Sequence, residues 1–365
     1  MKILFILELY YPNIGGIEKL FKSLAEELVV QGHDVRVITT RFRNDLPARE
    51  ELKGVNIKRL KLSSRFLFTF FGVWGMLKEA RKADIIHTTS FNAAFPARIA
   101  GWLTRKKVII TFHEAWGKLW FKLPYASLIS KILYFLYEKL ILHFGFHKYI
   151  AVSDYTAESL IKLGVRKNKV LRIYNGLEYS EYDASAYIPP DNFVFTYFGR
   201  LGISKGIDHI LEAAPGILKQ YQAAHLKMII PKNPSSFLNR VTNALGKLPE
   251  ERYTLLHHLD TDQLQKELQH SSCVLIPSYS EGFCYAAAES IALGIPIISS
   301  GKGALTEVVC GKHIIMDSFD DKGLMEALQK AHRGEWFTSP VKQFHFTHTM
   351  EQYLKLYKKL GSDHQ

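Results

Sequence analysis

The stretch CVLIPSYSEGFCYAAAESIALGIPIISS, residues 273–300, decides the fold of its half of the chain. An apolar run at its start ends at Ser278. Glu281 and Gly282 fall in a turn, and the alanine-rich residues 283–293 carry a helical pattern. After Gly294 a second apolar run covers 296–299. Two short buried runs flanking a helix form a crossover between parallel strands. Two acids sit in this otherwise small and apolar stretch, where an unpartnered buried carboxylate would be costly. The amides of Gly282, Phe283 and Cys284 fall at the expected helix start, on the carboxyl edge of a parallel sheet, where anions and ligands bind. Glu281 lies in the loop beside them. Glu289 lies about two turns further, rotated by roughly 80° on an ideal helix. Two carboxylates beside an anion site suit the hydroxyls of a sugar or ribose. A capping acid plus a surface acid would leave the same pattern.

On either side of this stretch, short β-branched runs alternate with amphipathic patterns along the whole chain. Candidate strands are 3–7, 35–39, 85–88, 108–112, 149–152 and 170–173, then 193–198, 226–230, 253–256, 273–276, 296–299 and 313–316. Such alternation predicts an α/β protein with two doubly wound parallel sheets. The polar, proline-bearing residues 179–192 predict a linker. The expected domains are therefore 1–178 and 193–345. A last helical pattern at 346–365 is expected to cross back to the first domain.

The length of 365 residues fits two domains, and 47% hydrophobic with 22% charged residues fits a core-burying protein. Cys273, Cys284 and Cys310 lack metal spacing and suit core positions in a reducing compartment. The amino-terminal run is interrupted by Glu8 and lacks a cleavage signal, so it predicts a first strand. No uninterrupted apolar stretch reaches about 18 residues, so no membrane span is expected. The net charge of +12 is lopsided: residues 1–180 hold 29 Lys and Arg against 15 Asp and Glu, and the remainder holds 18 against 20. A basic half beside a near-neutral half suggests a domain that meets an anionic partner.

Three further clusters follow expected strands. YFGRLGISKG puts Gly199, Arg200 and Lys205 on a loop before a helix, where Arg200 can grip two phosphate oxygens and Lys205 acts as a point charge; two exposed cations on a turn is the plainer reading. YYPNIGGIEK puts Gly15 and Gly16 before the first helix, allowing close backbone approach to a ligand or simply a tight turn. It is not GxGxxG, so the dinucleotide fingerprint fails. His113 follows the fourth strand of the first half and could contact substrate or serve structure alone.

GGxE near the start, GRLxxxKG after the linker and PSxxEGFxxxxxE with GxPII following resemble the retaining glycosyltransferases of family 4, which have the GT-B fold. The match runs through nearly the whole chain in the family's order. GALTEVV at 303–309 resembles the family's GGxxE turn, with Ala304 in place of a glycine. The resemblance implies two Rossmann-like domains with a cleft between them, closing on a nucleotide-diphosphate sugar. It implies that Glu281 faces the transferred sugar and Glu289 holds the ribose. The amides of Gly282, Phe283, Cys284 and Tyr285 would approach the sugar and phosphate. Arg200 and Lys205 would neutralise the departing diphosphate. Gly16 would meet donor phosphates or acceptor, His113 the donor sugar, and Glu307 the nucleotide or sugar. No cofactor or metal is implied. A sugar-nucleotide epimerase or a phosphorylase of the same fold is the alternative within enzymes.

Two segments depart from the family. Pro231, Lys232 and Asn233 stand where it has a glycine-rich turn, and no glycine falls near His257, His258 and Leu259. The base is therefore not implied. Asp260-Thr261-Asp262 is formally a DxD, but it precedes a helical pattern and suits a helix cap. Residues 65–78 and 119–148 are aromatic and aliphatic, with Lys122, Lys131, Lys139 and Lys148 spaced through the second. They predict helices at an anionic membrane surface, or amphipathic core helices with a basic edge. The expectation is a cytoplasmic enzyme, peripheral on the inner face of the cytoplasmic membrane, with a glycan or lipid-linked acceptor. Nucleic-acid binding is not expected, since no reader motif appears; a non-catalytic anionic-surface binder would leave the paired acids without use.

Overall fold

The computed structural model describes residues 1–13, 15–62, 64–233 and 235–362. Two compact units divide the chain: Met1–Lys122, Ser127–Gly176 and Phe346–Gln365 form the first, Leu123–Ala126 and Leu177–His345 the second.

In the first unit, β1 (Lys2–Ile6), α1 (Gly16–Val30), β2 (Asp34–Thr40), β3 (Arg49–Leu52), β4 (Val55–Leu60), α2 (Arg65–Lys82), β5 (Ile85–Thr89), α3 (Ala94–Thr104), β6 (Lys107–Phe112), α4 (Leu128–His143), β7 (Lys148–Ala151), α5 (Asp154–Lys162) and β8 (Val170–Arg172) follow in order. The sheet runs β3-β4-β2-β1-β5-β6-β7-β8, parallel except for β3 against β4. Its central strands carry β-branched and aromatic residues on both faces because helices cover both. One face packs Leu4, Ile86, Val108 and Ile110 with α2 and α3; the other packs Ile3, Phe5 and Ile85 with α1.

All six expected strands are present, with ends shifted by one or two residues. The β3–β4 hairpin was not expected. REELKGVNIKRL is half charged, and the tight turn falls on Lys53 and Gly54, both with positive φ. The alternation of Val55, Ile57 and Arg59 inward is the period-two signal that the charges obscured.

The second unit contains β9 (Val194–Phe198), α6 (Ile207–Gln220), β10 (His225–Ile229), α7 (Ser235–Leu245), β11 (Tyr253–Leu256), α8 (Thr261–Gln269), β12 (Cys273–Ile276), α9 (Tyr285–Ala292), β13 (Ile297–Ser299), α10 (Leu305–Val308), β14 (Gly311–Ile315), α11 (Asp321–His332) and β15 (Phe337–Ser339). Its order is β11-β10-β9-β12-β13-β14-β15, parallel except for β15, an exposed three-residue edge that the sequence did not announce. The strand order reverses between β9 and β12. Loops leaving their carboxyl ends therefore diverge over a crevice at the edge of the sheet.

The last helix, α12 (Phe346–Ser362), belongs to the first unit. Met350, Tyr353, Leu356, Tyr357 and Leu360 form its apolar stripe in the core with Phe5 and Phe21. Beneath the stripe, the hydroxyl of Tyr357 lies 2.7 Å from Nδ1 of fully buried His87, whose Nε2 lies 2.8 Å from Oγ1 of Thr111. Burial, then the nearby His113, pull His87 down to about 3. It is therefore neutral, and both ring nitrogens are satisfied.

Candidate functional site

The carboxyl edge of the second sheet gathers most of the expected residues. Glu281 is only 5% exposed. Its carboxylate accepts from the hydroxyl of Ser278 at 2.7 Å, and Lys205 Nζ reaches its two oxygens at 2.7 and 2.8 Å. The buried acid is thus held by a cation and a hydroxyl from two different loops, which offsets the cost of removing its charge from water.

The loops are locked together through their backbones. Tyr279 N–H donates to the Ser204 carbonyl at 2.8 Å, and Ala304 N–H to the Glu281 carbonyl at 2.8 Å. Two glycines permit this. A Cβ on Gly206 would stand 1.8 Å from the Pro277 carbonyl oxygen, and one on Gly303 would stand 2.5 Å from that of Glu281. Both have φ of +66°, which side chains rarely tolerate.

Arg200 is exposed on the loop after β9. Its carbonyl accepts from the buried Tyr197 hydroxyl at 2.9 Å. Burial, then Glu281 and Cys284, push that hydroxyl up, and Arg200 opposes them. Tyr197 is thus a neutral brace between the Arg200 loop and the Glu281 turn. Gly199 begins the same loop with φ of +143°.

The helix after the turn begins at Tyr285, two residues later than its composition suggests. Cys284 is the reason: it caps the helix in the left-handed region, φ +75°, a strained conformation for a side-chain residue. The helix has no side-chain cap at its start. Its positive end therefore opens at Tyr285, with buried Gly282 and Phe283 preceding it in the turn. Glu289, half-buried on α9, accepts from the Tyr182 hydroxyl at 3.3 Å. Glu307 is half-buried on α10, and its carbonyl accepts from Lys342 Nζ at 3.1 Å.

At the neighbouring strand ends, His257 Nδ1–H donates to the Ile230 carbonyl at 2.7 Å, since a carbonyl can only accept. His258 has φ of +55°, so the chain keeps a left-handed turn where the sequence offers no glycine. Asp260 caps α8 in a reciprocal capping box with Gln263. Among the described residues, no three His, Cys, Asp or Glu side chains gather as a metal-binding set.

Sequence reasoning named Arg200, Lys205, Glu281 and Glu289, but not their holders. The serine of the PS prefix foreshadowed Ser278. Tyr197 looked like one more strand aromatic, and Tyr182 lay in a segment read as linker.

On the first unit, Gly16 opens α1 behind an extended Gly15. His113 is half-buried just beyond β6, its ring 6.5 Å from that of Phe21. The loop that follows is fixed by buried Glu138 of α4, which accepts the amides of Trp116 and Gly117 at 2.8 and 2.6 Å. Burial pushes the Glu138 carboxyl up, and those hydrogen bonds pull against the shift.

The outer surfaces of α2 and α4 are unusually apolar. Phe66, Phe70, Phe71 and Trp74 of α2, and Leu128, Ile129, Leu133 and Leu136 of α4, are each more than half exposed. Of the four spaced lysines, Lys122 and Lys139 are exposed, whereas Lys148 Nζ donates to the Asn168 carbonyl at 2.7 Å. Among the described residues, no helix is long and apolar enough to cross a membrane.

Comparison with known proteins covers both units. Residues 14–181 match the family model of Glycosyltransferase Family 4, and residues 179–353 that of Glycosyl transferases group 1. An uncharacterized glycosyltransferase of Methanocaldococcus jannaschii is 28% identical over 338 residues, covering 85% of this chain and 83% of its own. One component of human phosphatidylinositol N-acetylglucosaminyltransferase is 23% identical over 344 residues, covering 90% of this chain and 68% of its own. Among solved structures, Anabaena HepE in complex with UDP-glucose superimposes with a TM-score of 0.74 at 15% identity, covering 98% of this chain and all of its own.

Proposed function

The chain belongs to the family 4 glycosyltransferases of GT-B fold, and we propose that it moves a sugar, with retention, from a nucleotide-diphosphate sugar to a hydroxyl of a glycan or lipid-linked acceptor in cell-envelope or polysaccharide synthesis. The observation that carries this reading is the buried Glu281, clamped by Lys205 and Ser278 at the start of α9. A carboxylate fixed so firmly can accept hydrogen bonds from sugar hydroxyls without reorganising. The exposed guanidinium of Arg200, the ammonium of Lys205 and the amides at the start of α9 present positive charge to a diphosphate. Glu289 is poised for a ribose. The UDP-glucose held by HepE supports a donor of this class.

The chemistry follows from charge. As the glycosidic bond to the diphosphate lengthens, positive charge develops at the sugar's anomeric carbon and negative charge on the leaving phosphate. Arg200 and Lys205 stabilise that phosphate electrostatically. A phosphate oxygen takes the acceptor's proton while the acceptor attacks from the same face, which preserves the anomeric configuration. No metal enters this scheme; the two cations fill its role, and Asp260 of the DxD is engaged in a helix cap. In this reading His113 meets the donor sugar, Gly16 the donor phosphates or the acceptor, and Glu307 the nucleotide or sugar.

The first unit meets an anionic membrane surface through α2 and α4. Aromatic and aliphatic side chains enter the interface, and the exposed Lys122 and Lys139 meet headgroups. The whole excess of positive charge lies in this half, and charge complementarity selects the inner face of the cytoplasmic membrane. The human relative acts, by its name, on a phosphatidylinositol. Incubation with UDP-, GDP- and ADP-sugars and a membrane lipid extract tests the reading. Release of one nucleoside diphosphate with an α-linked glycolipid from an α-linked donor is expected; an inverted product, or none with any donor, contradicts it.

A further inference from the structure

A polar node stands at the root of the apolar helices. Glu8 follows β1 and Asn92 follows β5, neighbouring strands of the first sheet. Glu8 Oε1 accepts from Arg65 Nε at 2.9 Å, and Oε2 from Asn92 Nδ2 at 2.7 Å. Thr69 of α2 holds Asn92 from the other side, its hydroxyl 3.2 Å from the Asn92 carbonyl oxygen. Tyr137 of α4 donates to the Phe91 carbonyl at 3.2 Å. The two helices with exposed apolar surfaces are therefore bonded to adjacent residues at the carboxyl edge, α2 to Asn92 and α4 to Phe91.

Two features of the node oppose stability. Phe91 has φ of +67°, a strained conformation for an aromatic residue. Arg65 sits in the first turn of α2, where a cation opposes the helix dipole. Its side chain is 62% exposed although Glu8 binds one edge of it, so much of the guanidinium faces solvent. An anion placed there would meet Arg65 and the positive end of α2 together.

We propose that Arg65, fixed by Glu8 and Asn92, receives the phosphate of a membrane-lipid acceptor, whose hydrocarbon chains stay in the bilayer against α2 and α4. The inference rests on the reading of a lipid-borne acceptor and names its chemical class as a lipid phosphate or diphosphate. Glu8 and Asn92 are positioning residues: they hold the guanidinium at the start of α2, beside the carboxyl edge of the sheet.

The test is flotation of the full chain with phosphatidylcholine vesicles carrying undecaprenyl phosphate, compared with vesicles given equal surface charge by oleate. Wild type is expected to prefer the phosphate vesicles by about tenfold or more, the scale of a hydrogen bond to a charged group. Arg65→Gln abolishes that preference and weakens oleate binding only by the loss of one charge, roughly fivefold; Arg65→Lys keeps part of the preference. Competition by inorganic phosphate marks recognition of the phosphate alone, and its absence marks recognition of the lipid phosphate as a unit. Equal binding to both vesicles by wild type, or a preference that survives Arg65→Gln, overturns the proposal. Should Arg65→Gln lose its fold, Asn92→Asp, which sets a second carboxylate against Glu8 and loosens its hold on Arg65, must lower the preference instead. Thermal stabilisation by nucleotides is followed in the same proteins. Its absence in wild type would count against the donor reading, while a nucleotide response without phosphate preference would count against this inference alone.

Discussion

Lys205 Nζ lies 2.7 and 2.8 Å from the two carboxylate oxygens of Glu281. The pair joins the loop after β9 to the loop after β12, across the point where the strand order of the second sheet reverses. The family resemblance implies separate duties for the two residues, one for the phosphate and one for the sugar. Their geometry makes the proposed duties dependent: the cation proposed for the diphosphate also aims the carboxylate.

That dependence predicts strong coupling. Lys205→Met leaves the 5%-exposed Glu281 without its cation, and stability should fall by roughly 3 kcal/mol. Adding Glu281→Gln should restore part of the loss, with an interaction energy of about 1–3 kcal/mol. Urea unfolding of the four proteins measures it. Either single variant should lower kcat/KM at least about a hundredfold.

Gly303→Ala should perturb the same site without touching a charge. Its Cβ would meet the Glu281 carbonyl oxygen at 2.5 Å on a left-handed backbone. A loss of stability above about 1 kcal/mol, with a larger loss of activity, is expected from strain that displaces the carboxylate. Gly334→Ala also falls at positive φ but meets nothing within 4 Å, and should cost stability alone.

His87 predicts an acid-labile first unit. Its folded value of about 3 lies below the ordinary 6.5, so between these values the unfolded chain binds the extra proton. The contribution is complete above pH 6.5 and is lost as pH falls toward 3, at up to about 1.4 kcal/mol per pH unit. His33, His147 and His225 are also lowered, chiefly by burial, and share the sign. Urea midpoints at pH 7.5 and 5 check the slope, and His87→Gln should flatten it.

Phe71→Asp with Trp74→Asp should remove membrane binding and spare the fold. The side chains are 60% and 79% exposed, so stability should change by no more than about 0.5 kcal/mol each. Burying either aromatic in an interface is worth roughly 1.5–3 kcal/mol, so co-sedimentation with anionic vesicles should weaken by more than tenfold.

The alternation of apolar runs and helices was legible because parallel strands buried on both faces carry near-continuous apolar sequence. The β3–β4 hairpin was not, because an edge pair tolerates the charges of REELKGVNIKRL. At the site, the spacing of Glu281 and Glu289 and the cations Arg200 and Lys205 were visible as residue types. The ion pair between Lys205 and Glu281 was not, since it joins positions 76 residues apart. Nor was the late start of α9: composition favours a helix from Phe283, and the backbone turn at Cys284 prevails over it. Tyr182 and Glu289 meet across 107 residues, and nothing in the local pattern of the linker signals it.

The most direct test of the donor site is thermal stabilisation by UDP, GDP and ADP, each with and without EDTA, in wild type and Glu289→Gln. Stabilisation by one nucleotide, indifferent to EDTA and lost in Glu289→Gln, is the expected result. Stabilisation that requires a divalent metal, or that persists undiminished in the variant, would contradict a donor site built on the β12–α9 edge.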